Sequence, residues 1–218
     1  KRGIEGLAGG VLTTPMFTFA IQESGAEGGI MVTASHNSIR YNGLKLYDKL
    51  LTISERTGLQ DIKNIIEAGP PLYSGPKGRL QERDFKSGYL NFLESKVSLK
   101  RKIKTVFDVG GGAVGAVLPG IIEKLKLDAI TLFLSPDPTL SAREPNPLLP
   151  QAQIKAREAI LAHKAELGFI FDPDGDRLVV LDENGEVVRG DAILWLLASH
   201  LVKPGEWIVY DIRSSRAL

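Results

Sequence analysis

The chain has 218 residues, of which 43% are hydrophobic and 24% are charged, values typical of a soluble globular protein with one or two domains. Its net charge of +1 argues against nucleic acid or an anionic membrane surface as a partner. The absence of cysteine excludes disulfides and thiolate metal sites. No apolar run has the length of a membrane span, and a chain without cysteine suits the reducing cytosol, so we expect a cytoplasmic protein.

The hydrophobic pattern alternates between strand-like and helical segments. It predicts, in chain order, a helix over 15–24, strands over 29–33 and 43–48, a helix after Glu55, a helix over 82–97 that bridges two units, a strand over 104–109, a helix over 113–126, a strand over 129–134, a helix over 151–164, strands over 167–171 and 178–182, and a helix over 190–202. Pro15 suits the start of the first helix, and Thr52 and Glu55 are spaced as a capping box. This alternation is typical of parallel sheets covered by helices.

Other segments lack this periodicity. Residues 69–79 hold three glycines and three prolines, residues 135–150 hold five prolines, and residues 182–186 predict a hairpin turn. Near the end, the pattern at residues 207–210 predicts a strand that opens a new unit, while the chain starts at Lys1 rather than at methionine. We therefore expect a fragment of a longer protein.

An acidic loop follows the predicted strand over 167–171. Asp172, Asp174 and Asp176 place three hard carboxylate ligands within reach of one ion, which favours Mg²⁺ over zinc or copper. A solvated turn is the simpler alternative. An EF-hand would use Glu183 at its twelfth position, but Arg177 replaces the glycine that such a loop needs. A phosphatase of the haloacid dehalogenase type would make the first aspartate a nucleophile.

A glycine-rich turn follows the predicted strand over 104–109. Gly110, Gly112 and Gly115 match the dinucleotide-binding spacing, so a nucleotide-binding α/β module stays open. However, Ser135 and Pro136 stand where an acidic ribose ligand is expected. A tight turn between a strand and a helix is therefore the favoured interpretation.

Residues 33–37, with the sequence Thr-Ala-Ser-His-Asn, place Ser35 beside His36 directly after an apolar run. Neighbours on an extended chain point to opposite sides, and no Gly-x-Ser-x-Gly elbow is present, so a hydrolase is disfavoured. A phosphoserine would carry nearly two negative charges. Phosphate on Ser35 would supply the hard ligand that the three aspartates still lack.

The serine segment, the following residues 41–45 (Tyr-Asn-Gly-Leu-Lys), the acidic loop and residues 211–218 together resemble the α-D-phosphohexomutase superfamily, in its phosphomannomutase/phosphoglucomutase branch. The resemblance implies an α/β fold of two three-layer α/β/α domains with mixed sheets, the first of them incomplete. It assigns residues 1–80 to domain 1, residues 81–205 to domain 2 with its leading linker helix, and residues 206–218 to the start of domain 3.

The resemblance also implies an isomerase that interconverts the 6-phosphate and 1-phosphate of mannose or glucose. Phosphorylated Ser35 would give its phosphoryl group to the hexose phosphate and recover one from a bisphosphate intermediate, with glucose 1,6-bisphosphate as activator. The remaining assignments are Mg²⁺ held by the Ser35 phosphate with Asp172, Asp174 and Asp176, proton transfer by Lys45 and His36, a phosphate contact by Arg177, and a substrate contact by Arg213.

Two positions depart from the pattern of that superfamily. Ser38 stands where the superfamily usually has proline, which predicts a looser loop around Ser35, and Pro173 replaces a glycine in the acidic loop. We expect the rest of the enzyme, domains 3 and 4, to be the missing partner. The fragment should bind Mg²⁺ yet show little or no turnover. A non-catalytic remnant that acts as a binding or scaffold protein is the alternative.

Overall fold

The computed structural model describes residues 3–49, 51–69, 72–212 and 214–215. The strands are β1 (Gly6–Ala8), β2 (Gly28–Val32), β3 (Leu44–Asp48), β4 (Leu51–Thr52), β5 (Leu80–Glu82), β6 (Lys104–Asp108), β7 (Asp128–Leu132), β8 (Leu167–Phe171), β9 (Leu178–Leu181) and β10 (Val187–Val188). The helices are α1 (Thr14–Ser24), α2 (Gln60–Glu67), α3 (Lys86–Lys96), α4 (Val114–Leu125), α5 (Pro150–His163) and α6 (Gly190–Leu201). A π-helical turn, Glu55–Leu59, leads into α2. Among the described residues, no helix combines the length and apolarity needed to cross a membrane.

The first unit contains an antiparallel sheet in the order β2-β3-β4. The prediction of a parallel sheet is wrong for these strands. Only residues 33–43 connect β2 to β3, and a parallel return usually needs a crossover of about a dozen residues or more, generally helical. The antiparallel register places Met31 opposite Lys45, so the strand that leads into the serine segment lies beside the strand that carries the lysine.

The second unit is built on a five-stranded mixed sheet in the order β10-β9-β8-β6-β7. β6, β7 and β8 are parallel, and β9 and β10 run antiparallel to their neighbours. Alternate residues cover both faces: Val106 packs with Ile160 of α5 on one face, and Phe107 packs with Leu118 of α4 on the other. This three-layer arrangement with a mixed sheet agrees with the predicted fold class.

Helix α3 contacts both units. Phe85, immediately before the helix, is buried in a cluster with Met16 of α1 and Val117 of α4. The helix begins at residue 86 rather than at 82, because residues 80–82 pair with β1 as a parallel strand. Neither β1 nor β5 is predicted by the pattern.

Two other local predictions are wrong. The capping box forms between Ser54 and Thr57 instead of Thr52 and Glu55, since the backbone N–H of Ser54 donates to the Thr57 hydroxyl at 2.7 Å. Residues 207–210 pair with no strand in the part of the chain that the structure describes, and Trp207 and Val209 are almost fully exposed.

Candidate active site

The acidic loop (residues 172–177) connects β8 to β9 and folds back on its first residue. The Oδ1 atom of Asp172 accepts hydrogen bonds from the backbone N–H groups of Asp176 and Arg177, both at 3.1 Å. Gly175 has a φ of +70°, which permits the tight return of the backbone. As a result, carboxylate oxygens of Asp172, Asp174 and Asp176 lie within 4.8 Å of one another, as the spacing predicts.

The glycine-rich turn, which belongs to the same unit as the acidic loop, supports that loop. The backbone N–H of Ala113 donates to the carbonyl of Pro173 at 2.7 Å. A Cβ atom on Gly112 would lie only 2.6 Å from the same carbonyl oxygen, and one on Gly115 would lie 2.0 Å from the carbonyl oxygen of Leu134. The glycines are therefore required by contacts within the protein, which removes the reason to invoke a dinucleotide.

The serine segment reaches the acidic loop across more than a hundred residues of sequence. The hydroxyl of Ser35 donates to Oδ2 of Asp172 at 3.2 Å, and that of Thr33 donates to Oδ2 of Asp174 at 2.9 Å. Thr33 also accepts a hydrogen bond from the backbone N–H of Ser35 at 2.8 Å. Thr33 thus joins the two segments, a role that the sequence motif does not predict.

Ser35 and His36 do not point to opposite sides. The backbone of Ser35 is left-handed, with a φ of +51°, and its Oγ atom lies 3.3 Å from Nδ1 of His36. The argument from an extended chain is wrong here, because the chain is not extended at this residue. The backbone carbonyl of exposed Ser38 accepts a hydrogen bond from the backbone N–H of Tyr41 at 2.9 Å, which closes a turn after the serine. A proline would offer the same carbonyl, so the looser loop stays a prediction.

Lys45 projects from β3 into the carboxylate cluster. Its Nζ atom lies 2.6 Å from Oδ2 of Asp176, 2.8 Å from Oδ2 of Asp174, and 3.0 Å from the hydroxyl of Thr14, which accepts a hydrogen bond. Burial alone would lower the pKa of Lys45, but its contacts with the two aspartates outweigh burial and raise it. The single ammonium charge therefore offsets only part of the negative charge that Asp174 and Asp176 carry together.

The pKa values of the two buried carboxylates, Asp172 and Asp174, shift in opposite directions. Burial raises the pKa of Asp172 to about 6 against the effect of the backbone amide of Arg177, and repulsion from the neighbouring aspartates adds to the rise. Burial also acts to raise the pKa of Asp174, but the hydrogen bonds and charge of Lys45 and the Thr33 hydroxyl outweigh it and lower that pKa.

The donor set fits a hard divalent cation. Asp174 is only 3% exposed, and its Oδ1 atom has no hydrogen-bond partner within the described residues, although buried polar atoms rarely lack one. Oxygen ligands from three aspartates and one serine suit Mg²⁺. Lys45 supplies positive charge beside these ligands, so a cation here would take over its contacts.

The other predicted site residues differ in what the structure shows of them. Arg177 is half-buried beside the cluster, and its guanidinium makes no hydrogen bond or ion pair with the residues that the structure describes. Arg213 lies outside the described residues, so its predicted substrate contact stays a prediction.

Sequence reasoning missed four residues that contact the site or its support: Thr14, Thr33, Asp108 and Arg143.

Comparison with protein-family models gives two matches, in the order in which they occur along the chain. The model described as phosphoglucomutase/phosphomannomutase, alpha/beta/alpha domain I, matches residues 1–71. The model for alpha/beta/alpha domain II matches residues 87–185. The chain belongs to the phosphoglucomutase/phosphomannomutase family. The predicted resemblance is confirmed, and this family membership excludes the EF-hand and dehalogenase-type interpretations of the acidic loop.

Relatives from this family match nearly the whole chain. It is 36% identical to the phosphomannomutase of Salmonella typhimurium strain LT2 over 97% of this chain and 49% of that protein. It is 31% identical to the phosphoglucomutase of Neisseria meningitidis serogroup B over 99% of this chain and 47% of that protein. The chain thus spans about half the length of these curated relatives.

The fold agrees with a solved structure from the same family. The crystal structure of a phosphoglucomutase/phosphomannomutase family protein from Burkholderia thailandensis superposes with a TM-score of 0.81 at 28% sequence identity. The match covers 90% of this chain and 44% of that one. Sequence and structure therefore agree on two adjoining domains of this family.

Proposed function

We propose that this chain carries the phosphoserine and the metal site of a hexose phosphate mutase. Ser35 would hold the phosphoryl group that passes to and from the 6-position or 1-position of mannose or glucose phosphate. The observation that carries this proposal is the 3.2 Å hydrogen bond from the Ser35 hydroxyl to buried Asp172. It brings a nucleophile from one unit onto the carboxylate cluster of the other.

Magnesium is the cation that we propose for the cluster, held by Asp172, Asp174, Asp176 and the Ser35 phosphate. When bound, it would neutralise charge on the transferring phosphoryl group. The unpartnered Oδ1 of Asp174 supports this assignment, because a cation would satisfy it. Glucose 1,6-bisphosphate is the proposed activator, since it can donate a phosphoryl group to an unmodified Ser35.

The transfer step divides the work among this chain's own residues. The oxygen of a sugar hydroxyl attacks phosphorus and loses its proton to a base, while the bond from phosphorus to Oγ of Ser35 breaks and that oxygen takes up a proton. We assign the proton transfer at the sugar hydroxyl to His36 or Lys45. In the return step the directions reverse: the Ser35 hydroxyl gives up its proton as its oxygen attacks phosphorus, and an ammonium group such as that of Lys45 can give a proton to the leaving sugar oxygen. Arg177 would brace phosphate with its planar guanidinium.

Substrate recognition is proposed to be shared with the part of the enzyme that the relatives have in addition. Domain 1 would end near residue 80, and domain 2 near residue 205. Arg213, at the start of a third domain, is proposed to contact the sugar phosphate. We expect the 218-residue chain to accept a phosphoryl group but to give little or no mutase turnover by itself.

Phosphorylation of Ser35 tests this function directly. The 218-residue chain is incubated with glucose 1,6-bisphosphate and Mg²⁺, and phosphate is located by peptide mass spectrometry. We expect modification at Ser35 and none in the Ser35→Ala variant or after removal of the metal by a chelator. A chain that is folded and supplied with Mg²⁺ but stays unmodified at Ser35 would contradict the proposal.

A further inference from the structure

Arg143 is a buried cation in the proline-rich crossover between β7 and α5. Its side chain is 5% exposed, and its Nε atom lies 2.7 Å from Oδ1 of Asp108, the last residue of β6. A buried ion pair of this kind is weak evidence for a role in stability, because desolvation of both charges offsets their attraction. A contribution to stability therefore does not explain why a buried arginine lies at this position.

The remaining nitrogens of Arg143 bind backbone carbonyl groups. The Nη1 atom donates to the carbonyl of Glu144 at 2.9 Å, and Nη2 donates to the carbonyl of Phe171 at 2.6 Å. Asp108 orients the guanidinium in turn, and its Oδ1 atom also accepts the backbone N–H of Gly110 at 3.0 Å. One planar group thus joins the crossover, the end of β6 and the end of β8.

Phe171 is the last residue before the first aspartate of the acidic loop. The peptide group between Phe171 and Asp172 is held at both ends: Arg143 binds its carbonyl, and its N–H donates to the carbonyl of Arg177 at 3.3 Å. The direction of this peptide group sets where the chain leaves the sheet. It therefore sets where the carboxylate of Asp172 lies relative to Asp174 and Ser35.

We propose that Arg143 is a positioning residue for the metal site, which orients Asp172 toward a divalent cation by binding the carbonyl of Phe171. The proposal rests on the magnesium site proposed above. It assigns a function to the proline-rich crossover, which carries Arg143 into the space under the acidic loop. The bond is specific for a donor that reaches Asp108 and Phe171 together, as the guanidinium fork does.

The test measures Mn²⁺ binding to the full 218-residue chain by electron paramagnetic resonance at pH 8. Partners that orient metal ligands typically contribute tenfold to a hundredfold in affinity. We expect Arg143→Met to weaken binding by roughly tenfold or more and Arg143→Lys to restore part of the loss. Arg157→Met is the matched control, because the Arg157 guanidinium pairs with Glu186 at 3.5 Å and donates to Gln153 at 3.3 Å but bonds to no residue of the acidic loop among the described residues. It should leave affinity within about twofold, well below the effect of losing an orienting partner.

Hydrogen exchange separates positioning from general unfolding. In the Arg143 variants, the amides of Asp172 and of residues 174–177 should exchange faster while those of residues 104–108 stay protected. If Arg143→Met does not fold, the lysine variant decides, and unchanged Mn²⁺ affinity in it overturns the proposal. Wild-type affinity in a folded Arg143→Met variant overturns the positioning role and leaves the metal site standing. A wild-type chain that binds no Mn²⁺ overturns both.

Discussion

The two units meet at one site but hold their parts of it in different ways. The acidic loop extends from a sheet with both faces covered, and groups of its own unit bind the carbonyls of Phe171 and Pro173. The serine segment extends from a three-stranded sheet whose Ile30 and Val32 are about two-thirds exposed, and it depends on side-chain hydrogen bonds. The metal-binding part is held mainly by bonds within its own unit, with one further backbone bond from Thr14 of the first unit, whereas the serine segment meets the cluster through side-chain hydrogen bonds between the units.

The largest effect is expected from a substitution that displaces the acidic loop. Gly112→Ala would place a methyl group 2.6 Å from the carbonyl oxygen of Pro173, within rigid backbone. Overpacking of this kind costs about 1–3 kcal/mol in the free energy of unfolding. Because the loop must shift, we also expect roughly tenfold weaker Mg²⁺ binding by isothermal titration calorimetry.

Gly190→Ala is the control for that experiment. Gly190 opens α6, and a methyl group added there would meet nothing within 4 Å, so the substitution adds a side chain without a contact. Its Mg²⁺ affinity and melting temperature should match or exceed those of the wild type. A Gly112→Ala variant that behaves in the same way would contradict the support given to the loop by the glycine turn.

The second prediction concerns the hydroxyl that joins the units. Thr33→Val keeps the shape of the side chain but removes the donor to Asp174 and the acceptor for the amide of Ser35. We expect the free energy of unfolding, measured by thermal denaturation, to fall by about 1–3 kcal/mol, because a buried carboxylate and an amide lose their partner.

The effect should reach both the serine and the cation. Phosphorylation of Ser35 by glucose 1,6-bisphosphate should slow, and because Thr33 also binds the proposed ligand Asp174, Mg²⁺ affinity should fall by roughly tenfold. Thr18→Val is the control, since that hydroxyl only donates to the carbonyl of Pro15 within its own helix. Equal phosphorylation rates in the two variants would show that Thr33 does not hold Ser35 at the carboxylate cluster.

The third prediction is an increase in affinity. Lys45 shares Asp174 and Asp176 with any cation that enters the cluster, so Lys45→Met should strengthen Mg²⁺ binding at pH 8. One ammonium charge at about 4 Å is equivalent to roughly 1 kcal/mol even in water, which corresponds to about fivefold. Lys49→Met, which removes an exposed lysine, should change nothing. Weaker binding in the Lys45 variant would indicate that the lysine organises the ligands instead of competing with the ion.

The sequence predicts the parts of the site that local chemistry determines. Three aspartates after an apolar strand and a serine after another are visible as motifs, and the structure brings them together. The pairing of β1 with β5 and the contacts of Thr33 and Arg143 depend on residues far apart in sequence. Threonine and arginine are too common at ordinary positions to mark such contacts. The run at 207–210 has strand-like composition, but composition cannot form a strand without a partner strand in the described residues.

The left-handed backbone at Ser35 restricts which hydroxyl amino acid can serve there. Threonine carries the same nucleophilic oxygen and would form the same phosphate ester. Its branched Cβ, however, is strained at a φ of +51°, where serine is tolerated more easily. The choice between two chemically equivalent alcohols is thus made by the main chain, before any substrate or metal is considered.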